Sequence, residues 1–323
     1  MMTQGKTQKK GKTGIVLIII SVLFVVLMLI LPLISVLTNS LSKGIGFYFK
    51  SMGTKYVFSA LGVTLIATVI AVIVNTLFGL FAGWLLTKFN FRGKQVLSTL
   101  IDIPFSISPV IAGLAFIMTF GRLGWATPFV EWLNETFGWD IQIVFALPGV
   151  VLATIFVTFP FVSREIIPVL NSQGRDEEEA AALMGAKGFT IFRKITFPHI
   201  KWATIYGMIL CASRAMGEFG AVNALSKTRG KTFTLPLEID ALYLDGSSDS
   251  IVAAFSVSSI LVIIAVIVLV LRSIFENREK NIEKRAMKKD EGIKKITSEK
   301  IAEENGYINT DTDNTKVKRK YKA

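Results

Sequence analysis

The chain alternates long apolar runs with short polar bridges, and the apolar runs set its architecture. Six stretches, roughly 15–38, 57–87, 96–120, 143–163, 200–225 and 251–275, hold or nearly hold the ~20 apolar residues needed to cross about 30 Å of hydrocarbon. They predict an all-α integral membrane protein with six transmembrane helices. The first run, IVLIIISVLFVVLMLILPLISVL, follows Lys6, Lys9, Lys10 and Lys12. It is longer than the apolar region of a cleaved signal peptide, so a retained anchor is expected.

Composition agrees with a membrane protein: 51% of the 323 residues are hydrophobic and 19% charged, too apolar for an ordinary soluble domain. A net charge of +12 is of the size that nucleic-acid binding calls for, but 15 of the 36 Lys and Arg residues follow Leu271, and basic and aromatic residues are not interleaved. No nucleic acid is expected, and topology accounts for the excess. With the N-terminus inside, the inner segments carry four basic residues at the N-terminus, three at Lys88, Arg92 and Lys94, six from Arg164 to Lys201, and the fifteen of the tail. The outer loops carry three, one and three. Basic flanks resist translocation, so a multi-pass protein with both termini cytoplasmic is expected. The tail is charged and poor in large apolar residues, which suits a partly helical, partly disordered segment lying near anionic membrane lipid.

Cys211 is the only cysteine and His199 the only histidine. A disulfide, a thiolate metal site and a His-pair relay within one chain are thereby excluded, and neither a catalytic nor a metal site is expected. A GKT triplet occurs at Gly11, Lys12 and Thr13, but Lys6 stands where a phosphate-cradling loop needs its first glycine. ATP binding by this chain is therefore not expected.

The longest inner bridge contains RDEEEAAALMGAKGFTIFRKITFP, Arg175 to Pro198. Gly174 ends the preceding segment, and Asp176, Glu177, Glu178 and Glu179 fill a first helical turn, where carboxylates meet unpaired N–H groups and the positive end of the helix dipole. Ala180, Ala181 and Ala182 make a thin helical face, Leu183 and Met184 add apolar contact, and Gly185 breaks the helix. A second short amphipathic piece carries Ile191, Phe192 and Ile195 before Pro198. Two short helices joined at a glycine form a knob shaped for a cleft in another protein.

This pattern resembles the permease subunits of binding-protein-dependent ABC importers: Glu179-Ala180-Ala181, three residues, Gly185, nine residues, then Ile195-Thr196-Phe197-Pro198, with Phe197 in place of the usual Leu. NTLFGLFAGWLLTKFNFRGK, LIDIPFSISPVIAGL, PGVVLATIFVTFPFVSREIIP, RAMGEFGAV and RGKTFTLPLEIDALY extend the likeness over about residues 57 to 276 and are similar to the sulfate/thiosulfate permeases of the CysW type. The resemblance implies the type I importer permease (MetI-like) fold with cytoplasmic coupling helices, and ATPase coupling through Glu179, Ala180, Ala181, Gly185, Ile195 and Pro198. It also implies two ATPase subunits that use the ATP and Mg, a second permease subunit in a heterodimer, and an extracytoplasmic sulfate-binding protein. The organisation expected is a cytoplasmic N-terminus (1–14), a first transmembrane helix with its external loop (15–56), a permease core (57–276) containing the coupling loop (164–199), and a charged cytoplasmic tail (277–323).

Polar groups inside spans mark a pathway or an internal pair. Arg214 and Glu218 are four apart and close enough to pair; either the pair fixes its helix, or Arg214 faces the path of a dianion while Glu218 holds the guanidinium. In IDIPFSISPV, Pro104 and Pro109 free backbone groups beside Ser106 and Ser108, which survives at membrane depth only against protein or a watery cavity. Lining of the path and helix packing are both open for these serines. Gly217 and Gly220 suit close helix approach. Two rival classes are a membrane-embedded enzyme using Asp102, Arg214 and Glu218, and a self-sufficient carrier or channel. Molybdate and tungstate are alternative oxyanions.

Overall fold

A computed structural model describes residues 12–274, and every regular element among them is helical. The expected tail 277–323, and the N-terminus as far as residue 11, lie outside the described residues. The chain divides at Leu269 into two units, and of the second only residues 270–274 are described.

In chain order the helices are α1 (Lys12–Val25), α2 (Leu31–Ser40), α3 (Ile45–Met52), α4 (Lys55–Lys88), α5 (Lys94–Ser106), α6 (Pro109–Phe120), α7 (Thr127–Phe137), α8 (Leu147–Thr158), α9 (Pro160–Gln173), α10 (Asp176–Leu183), α11 (Gly188–Ile191), α12 (Phe197–Met216), α13 (Gly220–Leu225) and α14 (Leu235–Leu244). A final helix, α15, runs Ser248–Ile274. Single π-helical turns at Val26–Ile30 and Phe192–Thr196 join α1 to α2 and α11 to α12. Both turns stand just ahead of a proline, Pro32 and Pro198. A proline ring collides with the carbonyl four residues earlier and offers no N–H to it. Widening that turn lets the helix continue.

The structure departs from six straight spans in two places. Four helices are long and apolar enough to cross a membrane: Thr13–Ser40, Lys55–Lys88, Leu147–Gln173 and Ser248–Ile274. The stretch expected at 96–120 is a broken pair, α5 and α6, bent by 108°. Ser108 is forced towards extended backbone, ψ 131°, because it precedes Pro109. The stretch expected at 200–225 is interrupted at Gly217, where α12 ends, and resumes as the short α13. The expected 143–163 stretch lies further along, since its helix begins at Leu147 and continues to Gln173.

Helix α4 is the centre of the packing and touches α8, α9, α12 and α14. Its buried face reads Ala60, Thr64, Ala67, Ala71, Asn75, Gly79, Gly83 and Leu86, a spacing of three or four that keeps small residues on one side. Between helices in lipid there is no hydrophobic driving force, so association depends on close backbone approach and interhelical hydrogen bonds. A Cβ placed on Gly79 would lie 2.8 Å from Val162 Cγ1, and one on Gly207 of α12 would lie 3.0 Å from Val162 Cα. Asn75 supplies the polar tie: its amide donates to Thr158 Oγ1 at 2.8 Å, to the Ile155 carbonyl at 3.2 Å and to Cys211 Sγ at 3.6 Å, joining α4, α8 and α12.

At the other margin α15 holds the end of α2, the turn that follows it and Tyr48 of α3. Ser256 donates to the Ser40 carbonyl at 3.1 Å, Tyr48 and Ser259 share a hydrogen bond at 2.9 Å, and Lys43 pairs with Asp249. The body of the first helix is different, with apolar side chains from Ile15 to Leu37 exposed around its circumference.

These contacts give a paired expectation. Gly79→Ala must displace Val162 and destabilise the detergent-solubilised protein by about 1–3 kcal/mol, the usual range for overpacking. Gly62→Ala, on the same helix with nothing within 4 Å of the added carbon, should leave the thermal unfolding midpoint unchanged or slightly raised.

Candidate functional site

The loop between α9 and α12 is built from its charges and glycines. Gly174, φ 73°, ends α9 and turns the chain. Asp176, Glu177, Glu178 and Glu179 form the first turn of α10, as expected from the dipole argument. The helix closes with a Schellman motif: the Ala186 N–H donates to the Ala181 carbonyl at 3.0 Å and the Gly185 N–H to the Ala182 carbonyl at 2.9 Å. Gly185 stands at φ 85° in open space. Its role is conformational, since a side chain would meet no neighbour but would strain this left-handed backbone.

A partly buried network ties α10 to the end of α4. Lys88 Nζ lies 3.0 Å from Glu178 Oε1 and donates to the Gly174 carbonyl at 2.7 Å. The same Glu178 oxygen accepts from Thr196 Oγ1 at 2.6 Å. The side chains of Lys88 and Glu178 are only 7% and 15% exposed. Arg175 donates to the Thr87 carbonyl, and His199 faces Glu177 at 3.1 Å. Among the expected loop residues, Glu179, Ala180, Gly185 and Pro198 are exposed and Ala181 and Ile195 half-buried. Leu183, Met184 and Phe189 are 91%, 84% and 75% exposed. They give the knob a greasy tip. Phe189 was not singled out from the sequence, although its place just after Gly188 at a helix start is readable there.

The structure modifies one expectation. The second piece is not a separate short helix, because α11, the π-turn and α12 run on continuously from Gly188 to Met216. Pro198 sits inside this rod. The rod ends at the other candidate region, and its α12 part alone covers about 30 Å at 1.5 Å per residue over twenty residues.

There the two broken stretches meet. Pro109, one residue past Ser108, lies with its Cβ 3.0 Å from where a Gly220 Cβ would be, and a Cβ on Gly113 would come within 2.6 Å of the Ala221 carbonyl oxygen. Gly220 and Gly113 thus let α13 seat on α6. Ser106 and Ser108 are exposed at the first break. At the second, Glu218 lies outside the helix that carries Arg214. Its Oε1 accepts from the Ala221 N–H at 3.0 Å and so caps α13, while its Oε2 stands 2.6 Å from Arg214 Nη1. The carboxylate side chain is 1% exposed and the guanidinium side chain 34%. The pair hides its negative end and presents its positive end.

Two further ion pairs stand outside these regions, one of them joining elements far apart in sequence. Arg164 Nε of α9 donates to Asp102 Oδ1 of α5 at 2.8 Å. In the turn before α14, Arg229 makes a forked pair with buried Glu238, at 2.6 Å from Nη2 and 3.0 Å from Nε, and stacks over Tyr56. The Glu238 hydrogen bond pushes the Arg229 guanidinium further up from its ordinary range.

Residues 75–284 match the family described as binding-protein-dependent transport system inner membrane component. The chain is 44% identical over 260 residues to the sulfate transport system permease protein CysW of Escherichia coli strain K12, covering 80% of this chain and 86% of that one. It is 42% identical over 271 residues to the protein of the same name from Synechocystis, covering 84% and 95%. Among solved structures, a bacterial alginate ABC transporter in complex with its pentasaccharide-bound periplasmic protein contains a similar chain, with a TM-score of 0.68, 15% identity, and coverage of 81% of this chain and 93% of that one. At that identity the likeness concerns the fold.

The charge network makes the loop's rigidity measurable. Lys88→Met leaves Glu178 with Thr196 as its remaining described partner, and should loosen residues 176–198 by about 1–3 kcal/mol. Hydrogen–deuterium exchange is expected to accelerate there and to stay unchanged along α8.

Proposed function

Since this chain belongs to the family of binding-protein-dependent transport system inner membrane components, we propose that it is the membrane-spanning permease subunit of an ATP-driven importer of sulfate or thiosulfate. It forms half of the translocation pathway, a second permease subunit forms the other half, and an extracytoplasmic binding protein delivers the anion. The names of the relatives support the substrate, and the basic residues of the loop flanks support an orientation with both termini cytoplasmic. Related oxyanions such as molybdate or tungstate are the second reading, because the binding protein sets much of the choice.

The observation that carries coupling is the exposed tip of Leu183, Met184 and Phe189, formed where the end of α10 turns into the start of the α11–α12 rod. Buried in a cleft of a separate ATPase, each of these side chains would contribute about 1.5–3 kcal/mol. The ATP and Mg belong to that partner, and this chain does mechanical work only. Glu179, Ala180 and Ala181 form the helix face beside the tip, Gly185 sets the turn, and Ile195 and Pro198 lie where the loop becomes the α12 rod.

The pathway candidates are Arg214, Glu218, Ser106 and Ser108, gathered where two interrupted helices touch. Broken helices at membrane depth are the usual sites of ion and anion contact in transporters. Arg214 lowers the barrier for a dianion, and Glu218, hidden behind it, fixes the guanidinium without facing the solute. An unpaired carboxylate at this point would repel the cargo.

Two outcomes are expected. Leu183→Glu together with Phe189→Glu abolishes co-purification of the ATPase while membrane insertion, followed by fractionation, is unchanged; retained ATPase would refute the docking face. Arg214→Gln lowers radiolabelled sulfate uptake about tenfold or more, the loss of roughly 1.4 kcal/mol of stabilisation, with normal complex assembly. Loss of assembly would instead assign the pair to structure.

A further inference from the structure

Asp102 and Arg164 have no part in the roles assigned so far. Asp102 lies one helical turn before Ser106, where α5 gives way to the bend, and Arg164 lies on α9, whose far end feeds the α10 knob through Gly174. Besides the 2.8 Å hydrogen bond to Asp102, the Arg164 guanidinium sits over the Phe105 ring at 4.2 Å, and that ring meets Phe161 edge-on at 5.1 Å. One turn of α5 and one turn of α9 are thus joined by a charge pair, a cation–π contact and an aromatic pair.

Beside this junction Ile101 and Leu97 of α5 share an apolar cluster with Ile167 of α9, and the polar edge of the contact opens into clefts. A cleft of about 190 Å³ is lined by Ser98, Asp102, Ser163 and Arg164, and a second of about 370 Å³ by Lys94, Gln95, Ile167 and Asn171. The junction is therefore a polar attachment at the open edge of the α5–α9 contact, beside that apolar cluster. Its charged side chains are 42% and 53% exposed, and half-exposed pairs contribute little to overall stability. Such a link can be made and broken without unfolding either helix, unlike the close seat of Val162 between Gly79 and Gly207 on the other side of α9.

We propose that Asp102 and Arg164 are positioning residues: a releasable latch by which motion delivered at α10 and carried along α9 pulls on α5 and alters the bend at Ser106–Ser108. The inference rests on the importer reading above and adds a second line of transmission to the α12 rod. The latch acts on the path through α5 rather than by touching the anion. Arg164 is the better partner than lysine would be, because its planar fork holds the carboxylate while its face covers the ring.

The test uses the complete transporter, with its ATPase, second permease and binding protein, reconstituted in liposomes, and measures radiolabelled sulfate uptake and ATP hydrolysis in the same vesicles. Asp102→Asn and Arg164→Gln should each lower sulfate moved per ATP hydrolysed at least about fivefold, the lower end of typical coupling between sites, while the ATPase stays bound and active. The double variant should be no worse than either single, and Arg164→Lys should fall between. An unchanged ratio in the singles, additive losses in the double, or failure of the singles to assemble would overturn the latch. If the unaltered chain bound no ATPase at all, the importer reading itself would fail, which is a different result.

Discussion

Val162 is seated between Gly79 of α4 and Gly207 of α12, and much else follows from that seat. In water a helix can be held by burying a greasy stripe, but lipid tails compete on equal terms with leucine. The helices of this bundle are held instead by approach close enough for backbones to touch, and by a few hydrogen bonds such as those of Asn75. This is why α4 carries alanine and glycine where a soluble helix would carry leucine. It is also why α9 has a fixed position from which the loop after Gly174 can project.

The same constraint explains where charge is allowed. Lys88 and Glu178 sit nearly buried at the end of α4, each with a further polar partner, so the cost of removing them from water is offset by several bonds at once. Glu218 follows the same logic more severely. Fully buried, it is used twice, capping α13 and facing Arg214. The half-exposed Asp102–Arg164 pair contributes little to holding the fold, and that weakness is what makes it suited to change.

Much of this was legible from residue order alone. The apolar runs located the helices, the acids of 176–179 and Gly185 located α10 and its end, and Pro104, Ser108 and Pro109 marked the place of the bend. The pairing of Arg214 with Glu218 was readable from their spacing, but the break between them was not, because Gly217 in an apolar run is equally compatible with a continuous helix. The continuity through Pro198 was also hidden, since a proline ordinarily signals a stop and only the π-turn at Phe192–Thr196 removes the clash. Lys88 with Glu178 and Arg164 with Asp102 could not be found by any local rule, because helix packing brings them together over long stretches of chain.

The uninterrupted rod from Gly188 to Met216 has a consequence for what evolution can change. Each residue added or removed within it would turn everything beyond by about 100° and shift it by about 1.5 Å, swinging the Arg214 guanidinium off its bearing relative to the exposed tip at Phe189. Exchanges of its outward side chains leave that register intact, while a change in its length in residues does not. The interval between the two ends therefore behaves like the phase between gears on one axle, and a single deletion there would do more harm than many exchanges of side chains.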